Sequence, residues 1–230
     1  MAETSVHGVT LRGPARPAWS WLALGTIVGP SLLTLAWIVL GLTRGEARDA
    51  WGVSGGVRGM ITQPFSGLGI GSKGLLFNLA FIGSGVLLMV GLLGVFQTVD
   101  PTAGPTMRRA ALILLALTPL GLVIDGTFTL QFFLLHMLGF LLGCLGAIAG
   151  FPVTGFFLRG IPRWRRFGGW LIAGSPLTVL LLGVYFANFR MATMAAGEGL
   201  AGLTERALVI EIFAWFAALG WLAFRRPDAA

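Results

Sequence analysis

Six long apolar stretches, separated by short segments that carry most of the charge, constrain this chain more than any other feature. A helix that crosses a membrane needs about 20 consecutive apolar residues. The stretches are continuously apolar and do not alternate with a period of two, which predicts helices rather than the strands of a barrel. The predicted spans are residues 19–42, 75–97, 110–130, 132–157, 168–189 and 207–224.

Composition supports the same class of protein. Of the 230 residues, 56% are hydrophobic and only 11% are charged, whereas soluble domains carry about 25% charged residues. The net charge of +7 does not indicate a nucleic-acid partner, because the arginines lie at the ends of the spans, where they orient insertion. We therefore predict an all-α integral membrane protein, built as a six-transmembrane-helix bundle in contact with membrane lipid.

The distribution of basic residues predicts the orientation. With the N-terminus inside, ten basic residues fall on the cytoplasmic side and six outside, and cytoplasmic loops collect Lys and Arg. The segment 159–166 alone carries four arginines and no acid. We predict a multi-pass protein of the cell membrane with both termini cytoplasmic: a mobile tail at 1–18, the transmembrane domain at 19–224 and a short tail at 225–230.

Residues 43–74 form the only long segment between predicted spans. This segment is rich in glycine, yet it also carries many apolar side chains, which is atypical of a flexible linker. We predict that it folds back over the outer face as a short amphipathic or re-entrant piece. Long loops inside compact domains are usually functional, so a lid is one reading, which the sequence leaves open.

The fourth span carries a face of small residues. Glycines spaced four, three and four apart lie on one side of a helix, and small residues let helices approach closely in lipid. They are Gly139, Gly143, Gly146 and Gly150. The pattern predicts a packing face, either within the chain or toward a second copy or another membrane protein.

Four polar side chains inside the spans are the candidate functional residues. Charge in hydrocarbon is costly and usually marks a functional site. Asp125, His136 and Glu211 are predicted acid and base groups, and Asn78 is predicted to orient a ligand. By the predicted span limits, all four fall in the outer half of the membrane. His136 is three residues before Gly139, which places it on the packing face and toward the bundle interior.

Four further residues near the same end are candidate ligand-binding positions. They are Tyr185, Arg190, Arg206 and Trp215. Together with the four in-span residues they would line an outward-facing polar pocket. The alternative is purely structural: the polar groups join helices, Asp125 caps the turn that follows it, and Glu211 pairs with Arg190 or Arg206.

The sequence lacks the residues that several cofactors require. One in-span histidine cannot supply both axial ligands of a bis-histidine haem, and the sequence contains neither CxxC nor HExxH. The only lysine, Lys73, lies between spans and excludes a retinal-type Schiff base inside a helix. We expect no metal and no cofactor. A zinc site from Asp125, His136 and Glu211 would have too few protein ligands for a structural site.

The chain resembles an uncharacterised prokaryotic membrane family, domain of unknown function 998, over about residues 20–224. The resemblance is carried by the runs 66–78 and 82–85, by Gly121–Phe128, by His136 and by Gly202–Arg206. It implies six spans and a multi-pass membrane location, and it brings no established activity. Among the positions that it picks out are Asn78, His136, Glu205 and Arg206.

Three functions remain open at this level. The first is an intramembrane enzyme that performs acid–base catalysis on a prenyl or lipid substrate, where aromatic rings would stabilise cationic intermediates. The second is a non-catalytic module that binds or transports a lipophilic small molecule. The third is an accessory subunit that binds another membrane protein through the glycine face.

Overall fold

The computed structural model describes residues 18–49, 51–99 and 104–225. The two predicted tails fall outside this part of the chain, apart from Ala18 and Arg225. Six helical segments are long and apolar enough to cross a membrane: Trp19–Thr43, Gly74–Thr98, Pro105–Thr127, Leu130–Arg159, Arg165–Asn188 and Ala201–Arg225.

The described helices are numbered in chain order: α1 (Ala18–Leu22), α2 (Gly25–Thr43), α3 (Gly56–Thr62), α4 (Gly74–Thr98), α5 (Pro105–Thr127), α6 (Phe133–Arg159), α7 (Arg165–Asn188), α8 (Met191–Ala195) and α9 (Ala201–Arg225). A short hairpin joins β1 (Arg48–Asp49) to β2 (Gly52–Val53). Single 3-10 turns cover Phe65–Gly69 and Leu130–Phe132. Helix α1 continues into α2 through a tight turn, and the two make up the first span.

Two spans begin five or six residues earlier than predicted. The third starts at Pro105 instead of 110, and the sixth at Ala201 instead of 207. In both cases charged residues in the first turns interrupt the hydropathy signal but not the helix. Arg108, for example, donates from Nη2 to the carbonyl oxygen of Phe96 at 2.5 Å, so its charge is held at the helix end while its stem lies along the bundle.

The six spans form a closed ring in chain order. Each spanning helix packs against the next, and α9 returns to pack against α2. Helix α4 also touches α9 across the ring. The buried core of this bundle is apolar and aromatic, with Phe77, Phe151 and Phe216 fully buried.

The glycine face of α6 packs against α5 of the same chain. A side chain at Gly139, Gly146 or Gly150 would collide with α5. At Gly143 the Thr118 side chain joins the two helices instead, because its Oγ1 donates to the Gly143 carbonyl oxygen at 2.8 Å. The close approach of α5 and α6 depends on these small residues. Association with a second copy or another protein stays a prediction.

Residues 44–49 and 51–73, here the loop segment, are folded and largely buried where they meet the bundle. Trp51, Phe65 and Leu68 are each at most 4% exposed. Arg44 donates to the carbonyl oxygens of Gly67 and Ile70. The loop segment contacts the turns at 128–132 and 189–200, and these three stretches make up what we call the loop end of the bundle.

Candidate functional site

Asp125 and His136 meet at the loop end. Asp125 lies two residues before the C-terminus of α5 and His136 lies in the first turn of α6, so the short turn between these helices brings them together. Each side chain is 6% exposed. His136 Nδ1 is 3.6 Å from Asp125 Oδ1, which is an ion-pair distance but longer than a hydrogen bond.

The hydrogen bond of His136 defines its proton positions. Nδ1 lies 2.9 Å from the carbonyl oxygen of Phe128, and a carbonyl oxygen can only accept. Nδ1 therefore carries a proton, and in the neutral ring Nε2 is left with a free lone pair. The same bond caps the end of α5, so His136 has a structural role as well as a nitrogen suited to act as a base.

Asp125 Oδ1 is buried and has no hydrogen-bond partner among the described residues. It lines a cavity of about 40 Å³, together with Thr118, Cys144 and the ring of Phe140. Such a volume is enough for one or two water molecules. Buried polar atoms without a partner are rare and call for an explanation, and a water in this cavity is the simplest one.

Glu205 brings a second carboxylate to the same end. It lies in the second turn of α9, is 3% exposed, and its Oε2 accepts a hydrogen bond of 2.7 Å from the backbone N–H of Phe65. The carboxylate thus binds the loop segment to the sixth span. Gly202, one turn earlier, makes this possible, because a side chain there would collide with the backbone of Met60 and Gln63.

Glu205, His136 and Tyr185 line a second cavity of about 10 Å³, which is at the lower limit for one water molecule. The Tyr185 ring is buried and packs against Phe140 and Phe189. Phe140 lines both the water-sized space at Asp125 and that at Glu205. We call Asp125, His136 and Glu205 the acid–base centre.

Arg206 follows Glu205 and is equally buried, at 5% exposed. Its Nη1 donates to the carbonyl oxygens of Gln63 and Gly202 at 3.0 and 2.9 Å. The guanidinium also lies over the rings of Trp37 and Phe65, with its central carbon 5.1 and 5.7 Å from the two centroids. Within the described residues, Nε and Nη2 have no hydrogen-bond partner.

Asn78 fixes the loop segment to the bundle. It lies in the second turn of α4, and its Nδ2 donates to the carbonyl oxygen of Gly69 at 3.0 Å. A side chain at Gly69 would collide with the Asn78 amide. The structure thus shows Asn78 in a positioning contact at the loop end, and no hydrogen bond of its side chain reaches Asp125 or His136.

Glu211 does not lie in the acid–base centre. It is the eleventh residue of α9, about 15 Å along the helix axis from Ala201, because the helix begins six residues before its predicted start. It is only partly buried. Its carboxylate accepts from Thr178 Oγ1 at 3.0 Å and from Trp215 Nε1 at 2.6 Å. The bond from Thr178 links α7 to α9, and the bond from Trp215 lies within α9. The predicted structural pairing of Glu211 with Arg190 or Arg206 is absent from the described residues.

Arg190 immediately precedes α8 and its side chain is exposed. Its hydrogen bonds are made by the backbone, since its carbonyl oxygen accepts from Thr193 Oγ1 and from the N–H of Met194. Of the eight predicted site residues, the structure therefore brings Asp125, His136 and Tyr185 together, with Arg206 next to them on the other side of Phe65. In the part of the chain that is described, no three His, Cys, Asp or Glu side chains group closely enough to hold a metal ion.

Comparison with known protein families identifies the family to which the chain belongs. The profile of the family described as protein of unknown function (DUF998) matches residues 51–222, which is about three quarters of the 230 residues. The chain belongs to this family. No curated protein and no solved structure matches it.

The region that matches the DUF998 family holds the whole acid–base centre, Arg206 and most of the loop segment, but not α2. Sequence reasoning did not select Glu205 as a site residue, although the DUF998 resemblance included it. The available signal was its position beside Arg206: two adjacent charges at the edge of an apolar run usually mark a helix end in water. In the structure Glu205 and Arg206 lie under the loop segment. The apolar residues of that segment were the second indication in the sequence that it covers this helix end.

Proposed function

We propose that the protein is a multi-pass protein of the cell membrane whose acid–base centre moves protons to and from a lipophilic small molecule such as a prenyl or lipid substrate. One observation carries this proposal. Three ionisable side chains from three different helices, Asp125, His136 and Glu205, are at least 94% buried around two water-sized cavities. Ionisable groups inside a membrane bundle are expensive and typically functional.

The chemistry follows from the proton positions. A carboxylic acid at Asp125 or Glu205 donates a proton to the substrate, and Nε2 of the neutral His136 ring accepts a proton from the cation that this forms. The proton then returns from His136 to the carboxylate. The volumes of the two cavities, about 40 and 10 Å³, admit only water. A substrate therefore reaches the centre after a movement of Phe140 or of the loop segment, which is the role of a lid.

The arginines support an orientation in which the loop end faces outward. Arg159, Arg163, Arg165 and Arg166 cluster at the opposite end of the bundle, beside the turn between α6 and α7, and such clusters face the cytoplasm. Both termini are then cytoplasmic, because an even number of crossings returns the chain to its starting side.

Single-cysteine labelling tests this orientation. In a Cys144→Ser background, cysteine placed at the exposed Lys73 should react with a membrane-impermeant maleimide on intact cells, because it is on the outer side. Cysteine placed at the exposed Arg166 should react only after the cells are opened. The reverse pattern would invert the topology.

Lipid profiling of cells tests the acid–base function. Cells that produce the wild-type protein should accumulate or lose at least one lipophilic species relative to cells without it. Asp125→Asn and Glu205→Gln should abolish that change, because the amide side chains keep the shape but lose the acid. The exposed Glu198→Gln should retain the full effect. If both acid-centre variants are folded and their profiles equal the wild-type profile, the catalytic role is excluded.

A non-catalytic binding or transport function is the second candidate. It is favoured by an apolar groove lined by α2, α3 and α9, which has a volume of about 440 Å³ and is of the size that holds small molecules. This function predicts that a ligand co-purifies with the protein and that its amount is unchanged by Asp125→Asn.

A further inference from the structure

The turn between α6 and α7, at the end of the bundle opposite the loop end, holds its arginines on a fixed backbone. Ile161 and Trp164 are buried and anchor the turn in the bundle. The N–H of Ile161 donates to the carbonyl oxygen of Leu158, and that of Trp164 donates to Ile161. The side chains that flank or separate these anchors are exposed: Arg159, Arg163, Arg165 and Arg166.

Helices α6 and α7 approach closely beside this turn. A side chain at Gly168 would collide with the carbonyl oxygen of Gly155 and with both the backbone and the stem of Arg159. The stem of Arg159 therefore lies against the beginning of α7, where Arg165 and Arg166 occupy the first turn. Charges from two different helices are thus held next to one another.

The start of α5 brings one more exposed arginine to the same place. The central carbon of the Arg108 guanidinium is 5.9 Å from the centroid of the Phe96 ring, and Phe96 stacks on Phe157 of α6 at 6.2 Å. Arg108 therefore lies close to the end of α6. Its neighbour Arg109 is exposed. We use the name arginine surface for five exposed residues: Arg109, Arg159, Arg163, Arg165 and Arg166.

The described residues supply no carboxylate to the arginine surface. Arg163 aside, its side chains make no hydrogen bond or ion pair in the described part of the chain. The described acids lie at the loop end or in the middle of the bundle: Glu46, Asp49, Asp125, Glu198, Glu205 and Glu211. Asp100 and Asp228 lie outside the described residues. In the first turn of α7 the helix dipole also disfavours a cation, so the helix itself gains no stability from Arg165 and Arg166.

Exposed aromatic residues indicate the depth of the arginine surface in the membrane. Trp170 is 58% exposed and lies four residues after Arg166, which is about 6 Å of helix. Phe156, also exposed, lies three residues before Arg159. Aromatic side chains on the outside of a bundle gather at the boundary between hydrocarbon and headgroups. The arginines are therefore at the level of the lipid phosphates, which favours a lipid over a soluble acidic partner.

We propose that the arginine surface binds the phosphate groups of anionic phospholipids in the adjacent leaflet, chiefly through Arg159, Arg165 and Arg166. A guanidinium matches two phosphate oxygens with two parallel N–H groups, and basic clusters at the end of a membrane bundle attract anionic headgroups. This surface shares no residue with the acid–base centre, so the proposal depends neither on catalysis nor on the direction in which the loop end faces.

Binding of defined lipids to the delipidated protein, measured by native mass spectrometry, tests the proposal. Phosphatidylglycerol should bind about tenfold more tightly than phosphatidylcholine with the same acyl chains. Arg165→Gln combined with Arg166→Gln should weaken phosphatidylglycerol binding about thirtyfold, because two charges near the phosphates are lost. The matched control combines Arg48→Gln with Arg190→Gln, which removes the same charge from exposed positions at the loop end and should bind like the wild type.

A second variant tests the other helix. Arg159→Gln alone should weaken phosphatidylglycerol binding about fivefold. If the double variant of α7 does not accumulate in the membrane, this variant and the comparison of the two lipids on the wild type still decide the question. Equal affinity of the wild type for both lipids overturns the proposal, as does an equal loss of binding in the α7 pair and the loop-end pair. Displacement of the lipid by millimolar inorganic phosphate also overturns it, because the surface would then be a site for free anions.

Discussion

Replacing Gly139 by alanine is expected to destabilise the bundle by about 2 kcal/mol, although alanine is the better helix former. The added methyl group would lie 2.9 Å from the carbonyl oxygen of Gly121 and would collide with the Asp125 carboxylate. Helix α5 must then move away from α6, and Asp125 moves with it. The same substitution should therefore also disrupt the contact between Asp125 and His136.

Unfolding in mixed micelles, followed by tryptophan fluorescence, measures this effect. Gly183→Ala is the matched control, because Gly183 also lies inside a spanning helix, α7, but has no atom near enough to meet a side chain. The control should be neutral or up to about 1 kcal/mol more stable than wild type. Equal stability of the two variants would contradict the tight packing of α5 against α6.

The six spans could be predicted because hydropathy reports them directly. Their order in the ring could not, since it depends on which faces pack and not on how apolar each helix is. The glycine spacing on α6 did predict a packing face, and Gly139, Gly146 and Gly150 pack on α5. Spacing alone could not distinguish a partner within the chain from one outside it.

The candidate site was predicted in part. The small-residue face correctly placed His136 toward the interior, where it meets Asp125. Glu211 was assigned to the outer end because its helix was predicted to begin at 207. The true start at Ala201 puts Glu211 deeper, where it bonds Thr178. Its position relative to Trp215 did follow from the sequence, because residues four apart share a helix face.

Glu205 shows why charges at a span edge are hard to interpret from sequence. In water a Glu-Arg pair ends the apolar run, and the prediction placed the helix start after it. In the structure the loop segment covers both residues and offers them backbone partners at Phe65 and Gln63. Whether a charge at a span edge is solvated or buried depends on such tertiary contacts, which the sequence of the helix alone does not contain.

The second large effect is expected at this contact. Glu205→Ala removes the acceptor of the Phe65 N–H and leaves a buried donor unpaired, which costs about 2 kcal/mol. The loop segment should then open about thirtyfold more often. Glu205→Gln retains an acceptor oxygen at the same place, so opening should rise by less than about fivefold.

We infer that the buried Glu205 carboxylate on the sixth span holds the loop segment closed over the acid–base centre. Amide hydrogen exchange of peptides that contain Phe65 tests it most directly, compared among wild type, Glu205→Ala, Glu205→Gln and the exposed Glu198→Ala. We expect fast amide hydrogen exchange at residues 62–69 in Glu205→Ala and in none of the other three proteins. Two results would contradict this role of Glu205. One is exchange in Glu205→Ala at the wild-type rate, and the other is a loss of protection in Glu198→Ala as large as that in Glu205→Ala.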